Sequence, residues 1–378
     1  MKKLKIAHIM GKWLGGGVES TVLNYLRAID TNQVEFHLLC DSDSKDIPYE
    51  IIEKLGGKVR IIPPYQQLIT YSRTLTHFLK QEQFDIVHSH INTLSVFPLR
   101  CAYKAGVPVR IAHSHTTTSP KEFKRNLLKR ILRLFSTRYA THYFACSKEA
   151  GVFQFGKKNL SSVTIVNNAM DKWKFYFNAQ NRSEIRKRLG IQSEQVLFGH
   201  VGRFSPQKNQ FFIIHLFHDF HLKNENAKLM LIGEGKDKAK CIEECEKLGL
   251  QERVVFVDNV QNVEAYYSAM DVFLFPSLYE GFGMVLVEAQ LSGLPCLASS
   301  AVPTTTKISE QVTYISTKEP NIWLEIMFKM AENIDTDSRL ENIYRLEQLG
   351  LDIEIEAKKL LNVYKGAMGE KGITIGRD

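Results

Sequence analysis

The chain has 378 residues, of which 44% are hydrophobic and 24% are charged, and its formal net charge is +8. This length favours two domains, and this composition excludes a disordered or fibrous protein. No apolar run is long enough for a membrane-spanning helix. The apolar N-terminal stretch is broken by Lys5 and His8, which favours a buried first strand over a signal peptide, so we expect a cytoplasmic protein. The six cysteines form no CxxC pair, as is typical of core thiols.

Short apolar runs alternate with helical patterns along the first half of the chain. The predicted strands are 4–10, 35–40, 59–62, 85–88, 109–113, 143–146 and 163–166. The spacing of apolar residues predicts helices over 19–29 and 75–81 between them. This alternation is typical of a parallel sheet covered by helices, so we expect an α/β Rossmann-like domain over 1–170.

The same alternation starts again after Asp171. The second series of predicted strands is 195–200, 228–232, 254–257, 272–276 and 295–298. A polar linker and a helix at 184–189 precede it, so the second Rossmann-like domain is expected over 171–354. The tail, about 355–378, is expected to form a helix that packs on the first domain. Because ligands bind at the carboxyl ends of parallel strands, two such domains predict an active site in a cleft between them.

Glycines and cations follow several predicted strands. Gly16 and Gly17 lie between the first strand and a helix, where backbone N–H groups can approach an anion, although a flexible turn explains them equally well. Arg203 and Lys208 follow the first strand of the second series. A guanidinium and an ammonium suit a diphosphate, and solvated charges are the alternative. Gly233 stands at the next strand exit, where it indicates a ligand approach or a simple turn.

The strongest motif joins a strand to a helix through the turn Gly281-Phe282-Gly283. The first N–H groups of this helix and its dipole can receive phosphate oxygens. Glu280 precedes the turn and can accept hydrogen bonds from sugar hydroxyls, while Glu288, about two turns into the helix, can accept them from a ribose diol. Capping and surface carboxylates are the alternative, which is disfavoured because Arg203, Lys208 and the glycine turns all point to the same cleft.

These motifs resemble those of the retaining glycosyltransferases of the fourth sequence family, which have the two-domain GT-B architecture. The resemblance covers nearly the whole chain. It is carried by residues 16–18, Gly202-Arg203, Lys208-Asn209, Gly233-Glu234-Gly235, the hinge 167–171, and Glu280 with Glu288 around the glycine turn. The segments His113-Ser114-His115 and Ala145-Cys146-Ser147 are similar to those of enzymes that build bacterial capsular or exopolysaccharide repeat units.

The resemblance implies which residues hold the sugar donor. The implied donor-binding residues are Gly16, Gly17, Gly202, Arg203, Lys208, Gly233, Glu280, Gly281, Phe282, Gly283 and Glu288. Arg203 and Lys208 would neutralise the leaving diphosphate. Glu280 would hold the transferred sugar, and Glu288 would hold the ribose.

The resemblance also implies a histidine in the sugar pocket. His115 matches it, and His113 is the competing choice, which could instead orient His115 or be a core histidine. Asn209 is implied as a supporting residue. The implied catalytic residues are His115, Arg203, Lys208 and Glu280. Such enzymes retain the anomeric configuration by front-face attack, in which the donor phosphate takes the acceptor proton.

We therefore expect a retaining hexosyltransferase that uses a nucleotide diphosphate sugar, expected to be a UDP-sugar, with a saccharide acceptor that is expected to be lipid-linked. The alternatives are a nucleotide-sugar epimerase of the same fold and a non-catalytic donor-binding subunit. The triplet Asp41-Ser42-Asp43 is interpreted as a solvated loop, so no metal or other cofactor is expected. The loop 301–307 lacks the glycine pair and glutamate common in the family, which leaves the sugar open.

A basic amphipathic segment covers 121–138. Its cations are Lys121, Lys124, Arg125, Lys129, Arg130, Arg133 and Arg138. An anionic membrane surface and an ordinary basic solvent face explain it about equally, and a lipid-linked acceptor favours the membrane, at the inner face of the cell membrane. Nucleic-acid binding is disfavoured because no helix-turn-helix, RNP or zinc signature accompanies the charge.

Overall fold

The computed structural model describes residues 2–115, 131–336, 339 and 345–369. They form two compact units, one from Met1–Met170 with Gly350–Asp378 and the other from Asp171–Leu349. Each unit is built on one sheet in which all neighbouring strands are parallel, and helices connect the strands. The predicted fold of two Rossmann-like α/β domains is therefore confirmed.

The sheet of the first unit has seven strands. They are β1 (Leu4–Gly11), β2 (Val34–Asp41), β3 (Lys58–Ile62), β4 (Ile86–Ser89), β5 (Val109–Ser114), β6 (His142–Ala145) and β7 (Val163–Ile165). Their spatial order is β3-β2-β1-β4-β5-β6-β7. The chain thus crosses over from β3 to β4, beside β1, and in open sheets of this kind ligands bind outside the carboxyl ends of the strands near such a switch.

The sheet of the second unit has six strands. They are β8 (Val196–Val201), β9 (Ala227–Ile232), β10 (Val254–Val257), β11 (Val272–Phe275), β12 (Cys296–Ser299) and β13 (Val312–Ile315). Their order is β10-β9-β8-β11-β12-β13. Sequence analysis found the first five and missed β13, a four-residue edge strand whose last three residues are only half-buried.

Helices connect successive strands. They are α1 (Gly17–Ala28), α2 (Tyr49–Lys54), α3 (Leu68–Glu82), α4 (Val96–Lys104), α5 (Lys148–Phe155), α6 (Ala179–Arg188), α7 (Gln210–His221), α8 (Lys238–Lys247), α9 (Val263–Ala269), α10 (Met284–Leu291), α11 (Pro320–Glu332), α12 (Arg345–Gln348) and α13 (Ile353–Gly369). The predicted helix at 75–81 is the second half of α3, because its first turns expose Leu68 and Ile69 and so break the apolar periodicity.

The C-terminal helix α13 is part of the first unit. Leu360 and Tyr364 lie in the same buried cluster as Val22 and Leu26 of α1. The backbone N–H of Met170 donates to the carbonyl of Leu351 at 2.9 Å, next to the start of α13. Burial of these apolar side chains, worth about 25 cal/mol per Å², fixes the helix against α1.

The structure also tests the predictions of core thiols and of no membrane-spanning helix. All six cysteines are buried and unpaired, as predicted for core thiols. Burial raises the pKa of the Cys146 thiol to about 12, so it stays protonated at neutral pH. Among the described residues, no helix combines the length and the apolar character that crossing a membrane requires.

Candidate active site

Lys208 and Glu280 form an ion pair in the second unit. The ammonium Nζ lies 2.7 Å from the Oε1 atom of Glu280, and the two side chains are only 17% and 8% exposed. The ammonium also lies 4.9 Å from the ring centre of Phe275, the last residue of β11. Sequence analysis gave these residues separate contacts with a donor, and the structure shows that they also bind each other.

The loops that carry this ion pair are joined by further hydrogen bonds. The N–H of Leu278 donates to the carbonyl of Gln207 at 2.8 Å, and the side-chain amide of Gln207 donates to the carbonyl of Tyr279 at 2.9 Å. Asn209 has a φ of +59° and donates from its side chain to the carbonyl of Pro276 at 3.4 Å. These contacts fix the loop after β8 to the loop after β11, and sequence analysis missed Gln207.

Arg203 lies after β8, and the glycine turn Gly233-Glu234-Gly235 lies after β9. Arg203 is exposed, and its guanidinium has no hydrogen-bond partner among the residues the structure describes. A Cβ atom at Gly233, where φ is +143°, would lie 2.4 Å from the carbonyl oxygen of Gly202. A Cβ at Gly235 would lie 2.3 Å from that of Phe204. Only glycine therefore permits this close backbone packing beside Arg203.

Glu288 is half-buried on α10. The hydroxyl of Tyr267 on α9 donates to its Oε2 atom at 2.9 Å. Burial raises the pKa of Glu288, and the bond from Tyr267 opposes this rise. Gly283 precedes α10 with a φ of +97°, and Gly281 and Phe282 are partly exposed in the turn before it. Sequence analysis missed Tyr267, which orients the carboxylate predicted to hold ribose.

The glycine loop of the first unit precedes α1. Gly16 is the N-cap of this helix, and Gly17 is its exposed first residue. The two carboxylate oxygens of Glu19 accept hydrogen bonds from the N–H groups of Leu14 and Gly16, at 3.0 and 3.1 Å. A carboxylate of the same helix thus binds the amide of Gly16 that was predicted to approach a phosphate.

His113 and His115 belong to a group of five buried histidines. The other members are His8 on β1 and His88 and His90, on and just after β4. Burial lowers the pKa of His8 and His115 to about 3, and it lowers the pKa of the other three well below the ordinary 6.5. The rings are therefore uncharged at neutral pH. Sequence analysis missed three of them, although the repeated His-x-His pattern was a visible signal.

These histidines are also the described residues that could hold a metal ion. In two sets of three, His8 with His88 and His90, and His90 with His113 and His115, one ring nitrogen per residue lies within 4.8 Å of the others. Several of these nitrogens already bond one another, and the described residues that line the cavity around the rings include no carboxylate. Because these nitrogens are engaged with one another, we assign no metal to the cluster.

The Asp-x-Asp triplet is split between two environments. Asp41 is the last residue of β2 and is buried, so the interpretation of the triplet as a solvated loop is wrong at this position. Burial, with a smaller contribution from Asp43, raises the pKa of Asp41 to about 6. Asp43 is exposed and pairs with Lys12 at 2.7 Å.

The basic segment 121–138 lies largely outside the described residues, which resume at Ile131. Arg133 donates to the carbonyl of Val152 at 3.1 Å, and Leu134 is 78% exposed. The role of the segment at a membrane stays a prediction.

Two family models match the chain in succession. Residues 15–153 match Glycosyltransferase Family 4, and residues 181–322 match Glycosyl transferases group 1. The chain is 33% identical over 373 residues to EpsF of Bacillus subtilis (strain 168), which is named as a glycosyltransferase. The match covers 95% of this chain and 96% of EpsF.

Two further relatives have more specific names. The Escherichia coli UDP-Gal:alpha-D-GlcNAc-diphosphoundecaprenol alpha-1,3-galactosyltransferase is 26% identical over 79% of this chain and 80% of its own length. The Staphylococcus aureus capsular polysaccharide biosynthesis glycosyltransferase CapH is 25% identical over 76% of this chain and 78% of its own.

Among solved structures, Anabaena Alr3699/HepE in complex with UDP-glucose matches with a TM-score of 0.77. The match covers 96% of this chain and 100% of HepE at 18% identity, so it bears on the fold alone. EpsF is similar over nearly the whole length, and both family models match in turn. The chain therefore belongs to the group 1 and family 4 glycosyltransferases, enzymes of the GT-B fold.

Proposed function

We propose that this glycosyltransferase is a retaining enzyme that transfers a hexose from a UDP-sugar to a lipid-linked saccharide in capsule or exopolysaccharide synthesis. The observation that carries the proposal is the ion pair between Lys208 and Glu280, directly before the N-terminus of α10. It joins a cation suited to phosphate with a carboxylate suited to sugar hydroxyls. The helix N-terminus adds N–H groups that favour an anion.

In this proposal the ion pair is kept when the donor binds. An ammonium has three N–H donors, so Lys208 can keep its bond to Glu280 and still donate to a phosphate oxygen. Glu280 Oε2 then accepts a hydrogen bond from the sugar. Because the pair is already formed and mostly buried, the side chains need little rearrangement for catalysis.

The remaining donor contacts follow from the same unit. The exposed Arg203 would neutralise the diphosphate, and Glu288, held by Tyr267, would accept the ribose hydroxyls. Charge that develops on the leaving diphosphate is then met by Lys208 and Arg203. We propose that the diphosphate itself takes the acceptor proton, and that the reaction needs no metal.

The acceptor and location are proposed from relatives and surface chemistry. The Escherichia coli relative is named for UDP-Gal and a diphosphoundecaprenol-linked acceptor, and CapH is named for capsular polysaccharide. Leu134, at 78% exposure, and Ile131, at 50%, lie in the basic amphipathic segment 121–138. Such a surface suits the anionic inner face of a membrane, where a cytoplasmic enzyme would meet its lipid-linked acceptor.

The function is tested with a panel of nucleotide sugars and undecaprenyl-diphosphate-linked saccharides. Mass spectrometry identifies the released nucleotide and the product, and NMR of the new linkage gives its anomeric configuration. We expect UDP release with a hexose added, retained configuration, and full activity in EDTA. Inverted configuration would contradict the retaining mechanism, and epimer formation without any acceptor would favour an epimerase.

The membrane contact is tested separately by sedimentation with vesicles. We expect binding to vesicles with anionic lipid that weakens as salt rises, and reduced binding of the Leu134→Asp variant. Equal partitioning to neutral and anionic vesicles would contradict this part of the proposal.

A further inference from the structure

The five buried histidines lie on one face of the first sheet. His8 of β1 is directly beside His88 of β4 in the register of these two neighbouring strands. His88 and His90 are two residues apart, as are His113 and His115, and alternate residues of an extended chain point to the same face. The proposed donor contacts of the second unit do not use His8, His88 or His90.

Hydrogen bonds divide these rings into two chains. In the first chain, His8 Nδ1 lies 2.9 Å from His90 Nε2, and His90 Nδ1 lies 3.0 Å from His115 Nε2. In the second, the Tyr364 hydroxyl lies 2.8 Å from His88 Nδ1, and His88 Nε2 lies 3.0 Å from His113 Nδ1. Three ring nitrogens at the chain ends are buried and have no partner among the described residues. They are His8 Nε2, His113 Nε2 and His115 Nδ1.

The first chain can exist in two states only. Burial keeps its rings neutral, so each ring carries one proton for two nitrogens. Each contact between rings needs one proton. If His8 donates from Nδ1, then His90 must donate from Nδ1, and the proton of His115 is on its free Nδ1. If the contacts run the other way, His115 Nδ1 is an acceptor and the free proton is on His8 Nε2.

The second chain has a preferred direction because it starts at a tyrosine. Burial raises the pKa of Tyr364, so its hydroxyl keeps its proton, and His88 is its partner among the described residues. If the hydroxyl donates to His88, then His88 donates to His113, and only the Nε2–H of His113 is left unpaired. In the reverse direction the hydroxyl proton is unpaired and His113 Nε2 is an acceptor without a donor, so two buried polar groups are unsatisfied instead of one, which is unfavourable.

We propose that these two chains set how His113 and His115 recognise a hydroxyl of the donor sugar. Tyr364, acting through His88, fixes His113 Nε2 as a hydrogen-bond donor. His8 and His90 leave His115 Nδ1 able to donate or accept. The inference rests on the proposed function for its ligand. The rings of His113 and His115 are stacked with centres 3.9 Å apart, so a fixed donor stands beside an adaptable nitrogen. A sugar hydroxyl, which both donates and accepts, suits this pair.

Histidine tautomers can be measured without any substrate. Long-range 1H–15N spectra of 15N-histidine-labelled enzyme distinguish Nδ1–H from Nε2–H rings, and loss of a signal in His113→Gln assigns it. We expect His113 as the Nε2–H tautomer in the parent enzyme and a mixture of tautomers in Tyr364→Phe. Tyr25→Phe is the matched control, because it removes a buried hydroxyl of the same core that donates to the carbonyl of Asn167 at 2.8 Å. The proposal would be overturned if His113 were the Nδ1–H tautomer in the parent enzyme. It would also be overturned if Tyr364→Phe left the tautomer of His113 unchanged.

Kinetics with the donor test the role of the tautomer in recognition. We expect Tyr364→Phe to raise the KM for the donor about twofold with little change in kcat, since only about half of the enzyme then has His113 in the Nε2–H tautomer. Tyr25→Phe should keep the parent KM. A monodeoxy donor that lacks the recognised hydroxyl should abolish the difference between Tyr364→Phe and the parent. If the tautomers behave as expected but no nucleotide sugar binds, the proposed function fails and the tautomer chains stand. An equal KM in all three proteins would refute their role in sugar recognition.

Discussion

The buried histidines make the stability of the first unit depend on pH. His8 and His115 have a pKa of about 3 in the folded chain, against an ordinary value of 6.5. The unfolded chain therefore binds a proton at each site below pH 6.5, while the folded chain does not until about pH 3. By linkage, stability is fully present above pH 6.5 and falls with pH across this window.

The size of this effect follows from the two pKa values. At pH 5 the unfolded chain is 1.5 pH units below the ordinary pKa of 6.5, which corresponds to about 2 kcal/mol for each histidine. His8 and His115 together therefore lose about 4 kcal/mol between pH 7 and pH 5. A domain typically has about 5–15 kcal/mol in total, so this loss is a substantial fraction of the stability of the first unit.

Denaturant unfolding at several pH values measures this loss. The 19F NMR signal of fluorotryptophan at Trp13, in the core of the first unit, follows that unit by itself. Between pH 6 and pH 4.5, His8→Gln should reduce the slope of unfolding free energy against pH by about 1.3 kcal/mol per pH unit, the contribution of one proton. His77→Gln, on the exposed side of α3, is the control and should keep the parent slope. A His8→Gln slope equal to the parent slope would refute the reasoning.

Three further predictions concern the second unit. Glu280→Gln keeps the shape of the side chain but loses a charge-assisted contact, so we expect sugar transfer to slow by about 30- to 1000-fold. The rate is measured as UDP released in single turnovers, and an unchanged rate would argue against a role of Glu280 in holding the sugar. Tyr267→Phe removes the 2.9 Å bond to Glu288 and should raise the KM for the donor about tenfold with little change in kcat. Gly235→Ala places a Cβ 2.3 Å from a backbone oxygen, whereas the Cβ of Gly249→Ala meets no atom within 4 Å. Thermal unfolding should therefore show that Gly235→Ala loses about 1–3 kcal/mol more stability than Gly249→Ala, and equal losses would refute the packing explanation.

The sequence was sufficient to predict the strands and the loops that carry charge. Buried parallel strands are continuous apolar runs, so twelve of the thirteen strands were visible, and β13 was missed because it is short and half-exposed. The proximity of Lys208 to Glu280 follows from the two loops leaving neighbouring strands, β8 and β11. Their direct ion pair could not be predicted, because side-chain partners depend on the loop conformations.

The histidine chains show a different limit of sequence-based prediction. The repeated His-x-His pattern shows that each pair lies on one face of its strand, which local geometry alone dictates. The contact of His8 with His90 depends on β4 being placed beside β1 rather than beside β3, and these residues are 82 positions apart. Tyr364 is further still, 276 positions from His88. Such contacts follow from strand order and from the packing of α13, neither of which has a local signal.

The two carboxylates and the two histidines of the candidate site are each positioned by partners within their own unit. Glu280 is held by Lys208 and Glu288 by Tyr267, and all four residues belong to the second unit. His113 and His115 are held by histidines and a tyrosine of the first unit. Because each set is positioned by partners within its own unit, the proposed nucleotide contacts do not need the first unit in order to form. Changes in the histidine chains should therefore affect the discrimination between sugars while leaving the affinity for UDP nearly unchanged.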